Sequence, residues 1–549
     1  MSEMSSSAKA RALAVEAQID VDHEILDGAL HGAEEVIVNP LREGMFQAVT
    51  ATPCAMIIFG VSGDLTSRKL MPALYDLAMN SRLSEGFAIV GVSRRQWTDE
   101  QFRDEMRAAV EKHSQLPVTD DRWNSFAKGL FYVGGNFDEQ AMYDRLRVRL
   151  EELDHERRTD GNRLFYLATP PSFYITIIRS LGSHDLVDRQ DFYSAPRTGW
   201  SRIVVEKPIG HDITSARELN HAISEVVSEG QVYRIDHYLG KETVQNALAF
   251  RFANVLFEPV WNRHYVDHMQ ITVAESLGVE DRATYYEEAG ALRDMVQSHM
   301  LQLLAIVAME PPAVFRGNAV RDEKVKVLRS VIPPSGEAVK TMTARGQYAA
   351  GYVEGLAVPG YRQEQFVSPS STTETFTALK LQIDNWRWAD VPFYLRTGKR
   401  LPRRVSEIAI QFKKVPHLMF QAAGTRDVEP NLLTIRIQPD EGISLRFVAK
   451  IPGTTMQLRT VRMDFAYGAA FGGAGADAYE RLIVDAMNGD QTLFARRDEV
   501  ETAWNLIDPI EQAWLAEELT HLPLYEAGTW GPDKADLLIE RDGRTWRRP

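Results

Sequence analysis

Cys54-Ala55-Met56-Ile57-Ile58-Phe59 runs without a break in hydrophobicity into Gly60-Val61-Ser62-Gly63-Asp64-Leu65-Thr66. A short continuous apolar run suits a strand buried on both faces, and Gly60 ends it. Leu65, Leu70, Leu74, Leu77 and Ala78 then share one helical face. Strand, glycine turn and helix form the opening unit of a dinucleotide-binding fold. Small residues at such a turn let the backbone approach a pyrophosphate, and the helix N-terminus presents free N–H groups to it. Gly60, Ser62, Gly63, Asp64 and Leu65 are therefore candidate cofactor contacts. The spacing is Gly-x-x-Gly-x-x-Thr rather than Gly-x-Gly-x-x-Gly, so the flanking strand and helix carry the reading more than the glycines do.

Outward from this unit, Phe87 to Val92, Leu164 to Ala168 and Ile203 to Val205 read as further buried strands. Strands alternating with helices predict a Rossmann-like, doubly wound parallel sheet. The second strand runs into Ser93-Arg94-Arg95. A carboxylate there would grip ribose hydroxyls, whereas an arginine suits a 2′-phosphate. Arg94 thus points to NADP, with NAD as a weaker alternative; the competing reading is a pair of solvated loop charges.

Past about residue 240 the pattern changes. Met269 to Ala274 and Phe376 to Ile383 alternate strictly, and Glu407 to Phe412, Leu432 to Ile437 and Ile443 to Val448 continue the theme. Alternation predicts strands with one buried and one wet face, hence a large, mainly antiparallel sheet. The helical pattern from Gly290 to Met309 should pack on its buried face. The chain accordingly divides into an N-terminal extension (1–50), frayed or surface-packed and without a motif, a dinucleotide-binding domain (51–235) and an α+β domain (236–549).

The bulk numbers bound the function. A chain of 549 residues, 44% hydrophobic and 25% charged, can bury two or three cores. Its formal net charge of -14 repels nucleic acid and anionic membranes, so neither is an expected partner. An anionic substrate must be caught by a local cationic cluster. No apolar stretch is long enough to span a bilayer. The N-terminus has no continuous hydrophobic segment and carries Glu3, Glu16 and Asp20, unlike a secretory signal or transit peptide. The single cysteine, Cys54, excludes an internal disulfide and a cysteine-based metal site. A cytoplasmic protein without a metal is expected.

Three segments are dense in chemistry. Val204-Val205-Glu206-Lys207-Pro208 is a buried strand ending in a charged pair, at the carboxyl end where open α/β sheets bind ligands. Tyr233-Arg234-Ile235-Asp236-His237-Tyr238-Leu239-Gly240-Lys241-Glu242 offers His237, Tyr238 and Lys241 to a phosphate. Asp236 cannot help with an anion, and orienting a histidine base is the natural use for it. Arg293-Asp294-Met295-Val296-Gln297-Ser298-His299 offers a candidate base, His299, within two helical turns of Asp294, against the competing reading of a structural histidine. Oxidising an alcohol needs a base for the hydroxyl proton while hydride leaves.

With these segments, and with Phe59 to Leu65, Tyr394-Leu395-Arg396-Thr397-Gly398-Lys399 and Ala478-Tyr479-Glu480-Arg481-Leu482, the chain resembles the glucose-6-phosphate dehydrogenase family over essentially everything after residue 50. The Asp-His-Tyr-Leu-Gly-Lys run is the most specific match. The resemblance implies oxidation of glucose 6-phosphate with NADP. It makes His299 the general base and Asp236 its partner. It assigns His237, Tyr238, Lys241 and Lys207 to the sugar phosphate, with Lys207 also reaching the cofactor. Glu275 and Asp294 would grip sugar hydroxyls, and Lys399 and Arg404 would complete the pocket. Arg94 would bind the 2′-phosphate and Tyr174 would line the cofactor groove. A cis peptide before Pro208 and a homo-oligomer, dimer or tetramer, built through the large sheet of 236–549 are also implied. The family usually has Asn at Ser298 and Ala at Thr66 and Val61; none of these departures removes a catalytic group.

Two rival readings remain. One is an oxidoreductase of the glucose–fructose oxidoreductase and inositol dehydrogenase type, centred on Lys207, which leaves the cationic run from His237 to Lys241 without a task. The other is an NADP-binding sensor without turnover, which would lack the base or its partner.

Overall fold

The computed structural model describes residues 50–190, 199–420, 428–454, 456–467, 477–517 and 522–549. The extension assigned to residues 1–50 lies outside them, apart from Thr50. The first sheet contains β1 (Ala55–Phe59), β2 (Ala88–Ser93), β3 (Leu130–Gly134), β4 (Arg163–Leu167), β5 (Ser201–Val205) and β6 (Val232–Ile235). These run parallel in the order β3-β2-β1-β4-β5-β6, the doubly wound arrangement. Every residue of β1 is buried, as its unbroken hydrophobicity demands. Two strands, β3 and β6, join the four that the apolar runs predict. The strand order reverses between β1 and β4, which places the ligand crevice outside their carboxyl ends.

The second sheet is built from β7 (Val266–Ala274), β8 (Val331–Ile332), β9 (Thr343–Ala349), β12 (Phe376–Ile383), β13 (Pro392–Gly398), β14 (Val405–Phe412), β15 (Leu432–Gln438), β16 (Gly442–Lys450), β17 (Leu458–Ala466) and β19 (Leu524–Glu526), with β10 (Gly351–Val353) and β11 (Leu356–Val358) forming a separate hairpin. The order is β17-β16-β15-β14-β7-β13-β12-β9-β19, with β8 beside β12. Pairing is antiparallel except at β7–β13 and β9–β19.

One expectation needs correcting. The alternation in β7 predicts a wet face, yet His268, Gln270 and Thr272 are buried. The end of the chain returns to Gln270, and Arg396 of β13 donates to Thr272 (3.1 Å). The Arg547 N–H donates to Gln270 Oε1 (2.8 Å), Gln270 Nε2 donates to the Thr545 carbonyl (3.0 Å), and Arg547 pairs with Glu407 (2.7 Å). Polar side chains that would otherwise face water are satisfied by a returning segment instead. At the edge strand β17 neither face is buried, and Met463 and Phe465 are exposed.

The division at residue 235/236 separates the two sheets along the chain but not their interiors. A short strand near the C-terminus, β18 (Phe494–Ala495), pairs antiparallel with β6, and the helix Arg497–Ala516 packs on the helix Ile213–Val226. One apolar core contains both Ile57 of β1 and Ile271 of β7.

Gly290, at φ 63°, breaks the helical path, so the helix expected over Gly290–Met309 begins at Leu292. Its first section, Leu292–Met300, is π-wound, and Leu301–Ala308 continues as an α-helix buried on every side. Widened π turns of this kind recur at functional sites. Cys54 is fully buried and its thiol is pushed up to about 12 by burial, which makes it an inert core residue. Among the described residues no helix is long and apolar enough to cross a membrane.

Candidate active site

The turn after β1 is shaped for close approach. Gly60 has φ 84°, and a Cβ there would lie 2.5 Å from the carbonyl oxygen of Ala168, on the loop after β4. No other residue fits both constraints. Gly63 N–H donates to the Gly60 carbonyl (2.9 Å), which closes the turn and leaves Ser62 and Asp64 exposed at the crevice. Leu65 anchors the turn against the core, and Asp64 pairs with Arg68 (2.6 Å). The geometry fits a dinucleotide: the cradle is one a Cβ would fill, and a helix opens directly behind it. Beyond β2, Arg94 is exposed, whereas Arg95 lies over the Trp97 ring (4.9 Å).

Tyr174 departs from its expected place. It is 1% exposed, and its hydroxyl donates to the Glu206 carbonyl (3.1 Å). The ring supports the Glu206-Lys207-Pro208 turn from beneath rather than standing in an open groove. The Lys207–Pro208 peptide is cis.

Asp236 and His237 follow directly from the end of β6, and His299 reaches them from the π-wound segment. Nδ1 of His299 lies 2.6 Å from Oδ1 of Asp236, and the Tyr238 N–H also donates to that oxygen (3.0 Å). The bond to a carboxylate assigns the proton to Nδ1 and leaves Nε2 of His299 with its lone pair. His299 stacks on Tyr238 (ring centroids 4.6 Å apart) and meets His237 edge-on (4.6 Å). Burial lowers the pKa of His299, with Asp236 opposing, so the imidazole is neutral at neutral pH. Burial alone would raise Asp236, but the adjoining His299 holds it at about 2. Oδ2 of Asp236 is buried with no hydrogen-bond partner.

Lys207 Nζ donates to the Asp294 carbonyl (2.7 Å) and to Asp294 Oδ1 (2.9 Å), and Tyr285 donates to the same Oδ1 (3.1 Å). Burial would raise the Asp294 carboxyl, but Lys207 and Lys399 keep it well below the usual range. Lys399, just past β13, pairs with Glu275 just past β7 (2.7 Å) and lies over the Tyr286 ring (4.9 Å).

A cationic corner adjoins the histidine pair. Lys241 lies over the Tyr238 ring (4.4 Å) and donates to Gln438 Oε1, which also accepts from Arg404 (3.3 Å). Burial and the charge of Arg404 pull Lys241 down to about 8. Lys241 is also the N-cap of the helix Glu242–Phe252, and no side chain caps that terminus. Unsatisfied helix N–H groups beside two cations favour an anion.

Lys207 after β5 and Asp236 after β6 thus contact the π-wound segment directly, Glu275 after β7 pairs with Lys399 after β13, and Arg94 and the Gly60 turn stand at the crevice of the first sheet. Some contributors carry no signal of their own in the sequence. Gln438 and Ser406 each lie 3.4 Å from the Tyr238 hydroxyl and 2.9 Å from one another, Gln438 also accepts from Lys241, and Tyr285 braces Asp294. Glu206 could have been suspected from its place in the Glu206-Lys207-Pro208 turn. It is buried, accepts from Tyr166 (2.5 Å) and from Tyr479, and is pushed up to about 7 by burial against the pull of both tyrosines. Asp236, His237 and His299 also present ligand-type atoms within 4.8 Å of one another. Gathering them on a cation would cost the bond between Asp236 and His299.

Comparison with known proteins divides the chain between residues 246 and 248. Residues 57–246 match the family model "Glucose-6-phosphate dehydrogenase, NAD binding domain", and 248–547 match "Glucose-6-phosphate dehydrogenase, C-terminal domain". The chain is 48% identical over 513 residues to glucose-6-phosphate 1-dehydrogenase 2 of Mycobacterium bovis, covering 93% of this chain and 98% of the relative. It is 50% identical over 499 residues to glucose-6-phosphate 1-dehydrogenase of Aggregatibacter actinomycetemcomitans, covering 91% and 98%. A solved glucose-6-phosphate dehydrogenase in complex with its substrate glucose-6-phosphate superposes with a TM-score of 0.81 at 34% identity, covering 91% of this chain and 100% of the other. The enzyme from Mycobacterium avium gives 0.75 at 35% identity, covering 90% and 99%. With family models matching 57–246 and 248–547 and 48% identity over 93% of the chain, the chain belongs to the glucose-6-phosphate dehydrogenase family of oxidoreductases.

Proposed function

We propose that the chain oxidises D-glucose 6-phosphate at C1 to 6-phospho-D-glucono-1,5-lactone with formation of NADPH, the first step of the oxidative pentose phosphate pathway. The observation that carries this reading is the buried Asp236–His299 pair, 2.6 Å apart, opening beside a cationic corner. NADP, when bound, supplies the hydride acceptor. Gly60, Ser62, Gly63, Asp64 and Leu65 would cradle its pyrophosphate, Arg94 its 2′-phosphate, and Lys207 and the Tyr174-supported turn its nicotinamide end. NAD lacks the group that Arg94 would hold, and is the weaker partner.

Nε2 of His299 takes the C1 hydroxyl proton. Asp236 holds the ring in that tautomer and stabilises the cation that forms. His237, Tyr238, Lys241, Arg404 and the N-terminus of Glu242–Phe252 grip the phosphate, with Lys207 closing that grip. Glu275, Asp294 and Lys399 orient the sugar hydroxyls. Binding energy from the remote phosphate is then available to align C1. No metal is required in this scheme. The single buried cysteine fits a cytoplasmic setting, and the large sheet is the surface through which we expect a homo-oligomer to form.

The test follows NADPH absorbance with glucose 6-phosphate and NADP, with NAD, plain glucose and His299→Asn in parallel. NADPH formed only with the phosphorylated sugar, and lost in the variant, supports the reading. Equal turnover of plain glucose would overturn the phosphate grip and favour a Lys207-centred oxidoreductase.

A further inference from the structure

We propose that Glu374 is a positioning residue for this reaction, its carboxylate anchoring the first turn of the segment that carries Asp294 and His299. The inference rests on the reading of His299 as the base. The π-wound segment Leu292–Met300 has no side-chain cap from its own flank. Helix N-termini leave their first N–H groups without intrahelical partners. Here a residue 82 positions away fills the gap: Glu374 Oε1 accepts from the Leu292 N–H (3.0 Å), and the Glu374 carbonyl accepts from the Ala291 N–H (3.0 Å). Burial pushes this carboxyl up to about 7 against the pull of the Leu292 N–H, and in its ionised form it also meets the positive end of the helix dipole.

The preceding residue is shaped for this contact. Gly290 has φ 63°, and a Cβ on it would collide with Oε1 of Glu374. Next along the chain, the Thr375 carbonyl accepts from the Lys399 N–H (3.0 Å), and the Tyr525 hydroxyl donates to the Lys399 carbonyl (2.6 Å). Residues 374 and 375 therefore tie together two walls of the site, the segment with the base and the end of β13 with Lys399. A displaced first turn would move Asp294 against Lys207 and His299 against Asp236, at separations of 2.9 and 2.6 Å that tolerate little error. The carboxylate borders a cavity of about 360 Å³ with Arg293, Arg345, Glu511 and Trp514, so replacing it opens space without pulling a core residue.

The test measures kcat, both KM values and the melting temperature for Glu374→Ala, Glu374→Gln and Glu374→Asp. Glu374→Ala should lose about tenfold or more in kcat while the KM for NADP holds within about twofold, because misplacement by about 1 Å costs up to about 100-fold. Glu374→Gln keeps an oxygen acceptor for Leu292 N–H and should restore most of the rate; Glu374→Asp, one methylene short, should fall between. Wild-type kcat in Glu374→Ala, or Glu374→Gln as impaired as Glu374→Ala, overturns the proposal. Should Glu374→Ala not fold, wild-type kcat in Glu374→Asp overturns it instead. A wild-type enzyme inactive on glucose 6-phosphate would sink the underlying function, an outcome distinct from any variant's behaviour.

Discussion

His299 and Asp236 meet at 2.6 Å, although they stand 63 positions apart in the chain, with His299 1% and Asp236 4% exposed. The bond commits Nδ1 and leaves Nε2 as the sole basic nitrogen of the ring. His299→Asn and Asp236→Asn should each lower kcat by about 10² to 10⁴-fold, with smaller changes in the KM for glucose 6-phosphate. As the proposed base, His299 would work only when neutral, so kcat should fall as pH drops through its pKa. Burial puts that pKa below the ordinary histidine value and Asp236 raises it. The acid limb of a pH–rate profile should therefore lie below 6.5, and lower still in the residual activity of Asp236→Asn. An acid limb above 6.5 in the wild type would contradict the assignment.

Lys241 is a cation weakened by its surroundings. It is held at about 8 by burial and by Arg404, and a bound phosphate would pull it back up. Loss of its proton would remove the proposed phosphate contact, so the KM for glucose 6-phosphate should climb as pH rises past about 8. Lys241→Arg keeps its charge across this range and should flatten that climb, at some cost in baseline KM. Steady-state kinetics from pH 6.5 to 9.5 decide it; a climb unchanged in Lys241→Arg would place the titration elsewhere.

Arg94 stands exposed at the end of β2 while Arg95 is engaged by Trp97. Losing one charge-assisted contact costs about 1.5 to 3 kcal/mol. Arg94→Ala should therefore raise the KM for NADP by about 10- to 100-fold and leave that for NAD nearly unchanged. Equal effects on both cofactors would assign Arg94 a structural role.

Glu206 makes stability depend on pH. In the folded chain it keeps its proton to about 7, against 4.5 for an unperturbed glutamate. Between those values the folded state binds more protons than the unfolded state, so its contribution falls as pH rises from 4.5 through 7. The total is at most about 3 kcal/mol. Glu206→Gln removes the titration, and its melting temperature should decline less than that of the wild type between pH 5 and pH 8. Parallel declines would show the carboxyl to be already ionised at pH 5.

Several features needed no tertiary information. The apolar run into Gly60 announces β1 and a turn that only glycine can make, because both depend on neighbours along the chain. The alternation in Phe376 to Ile383 announces a strand for the same reason. The run from Asp236 to Lys241 holds its residues in one short segment, so its chemistry is visible before any fold exists. Hydrophobic periodicity reports which side chains leave water, and it does so locally.

It cannot report what covers a polar face from far away. Gln270 and Thr272 read as wet and are buried, because Thr545 and Arg547 return to satisfy Gln270 while Arg396 of β13 donates to Thr272. Tyr174 reads as a groove residue and instead supports the turn at Glu206. Gln438, which binds Lys241 across 197 residues, and Glu374, which caps a helix across 82, have nothing nearby in sequence to mark them. A hydrogen bond gains its worth from exclusion of water, and that exclusion exists only once distant segments have packed. The residue types of the chemistry belong to the sequence; their alignment belongs to the tertiary structure, since only packing brings the ends of β5, β6, β7 and β13 to the π-wound segment that bears His299.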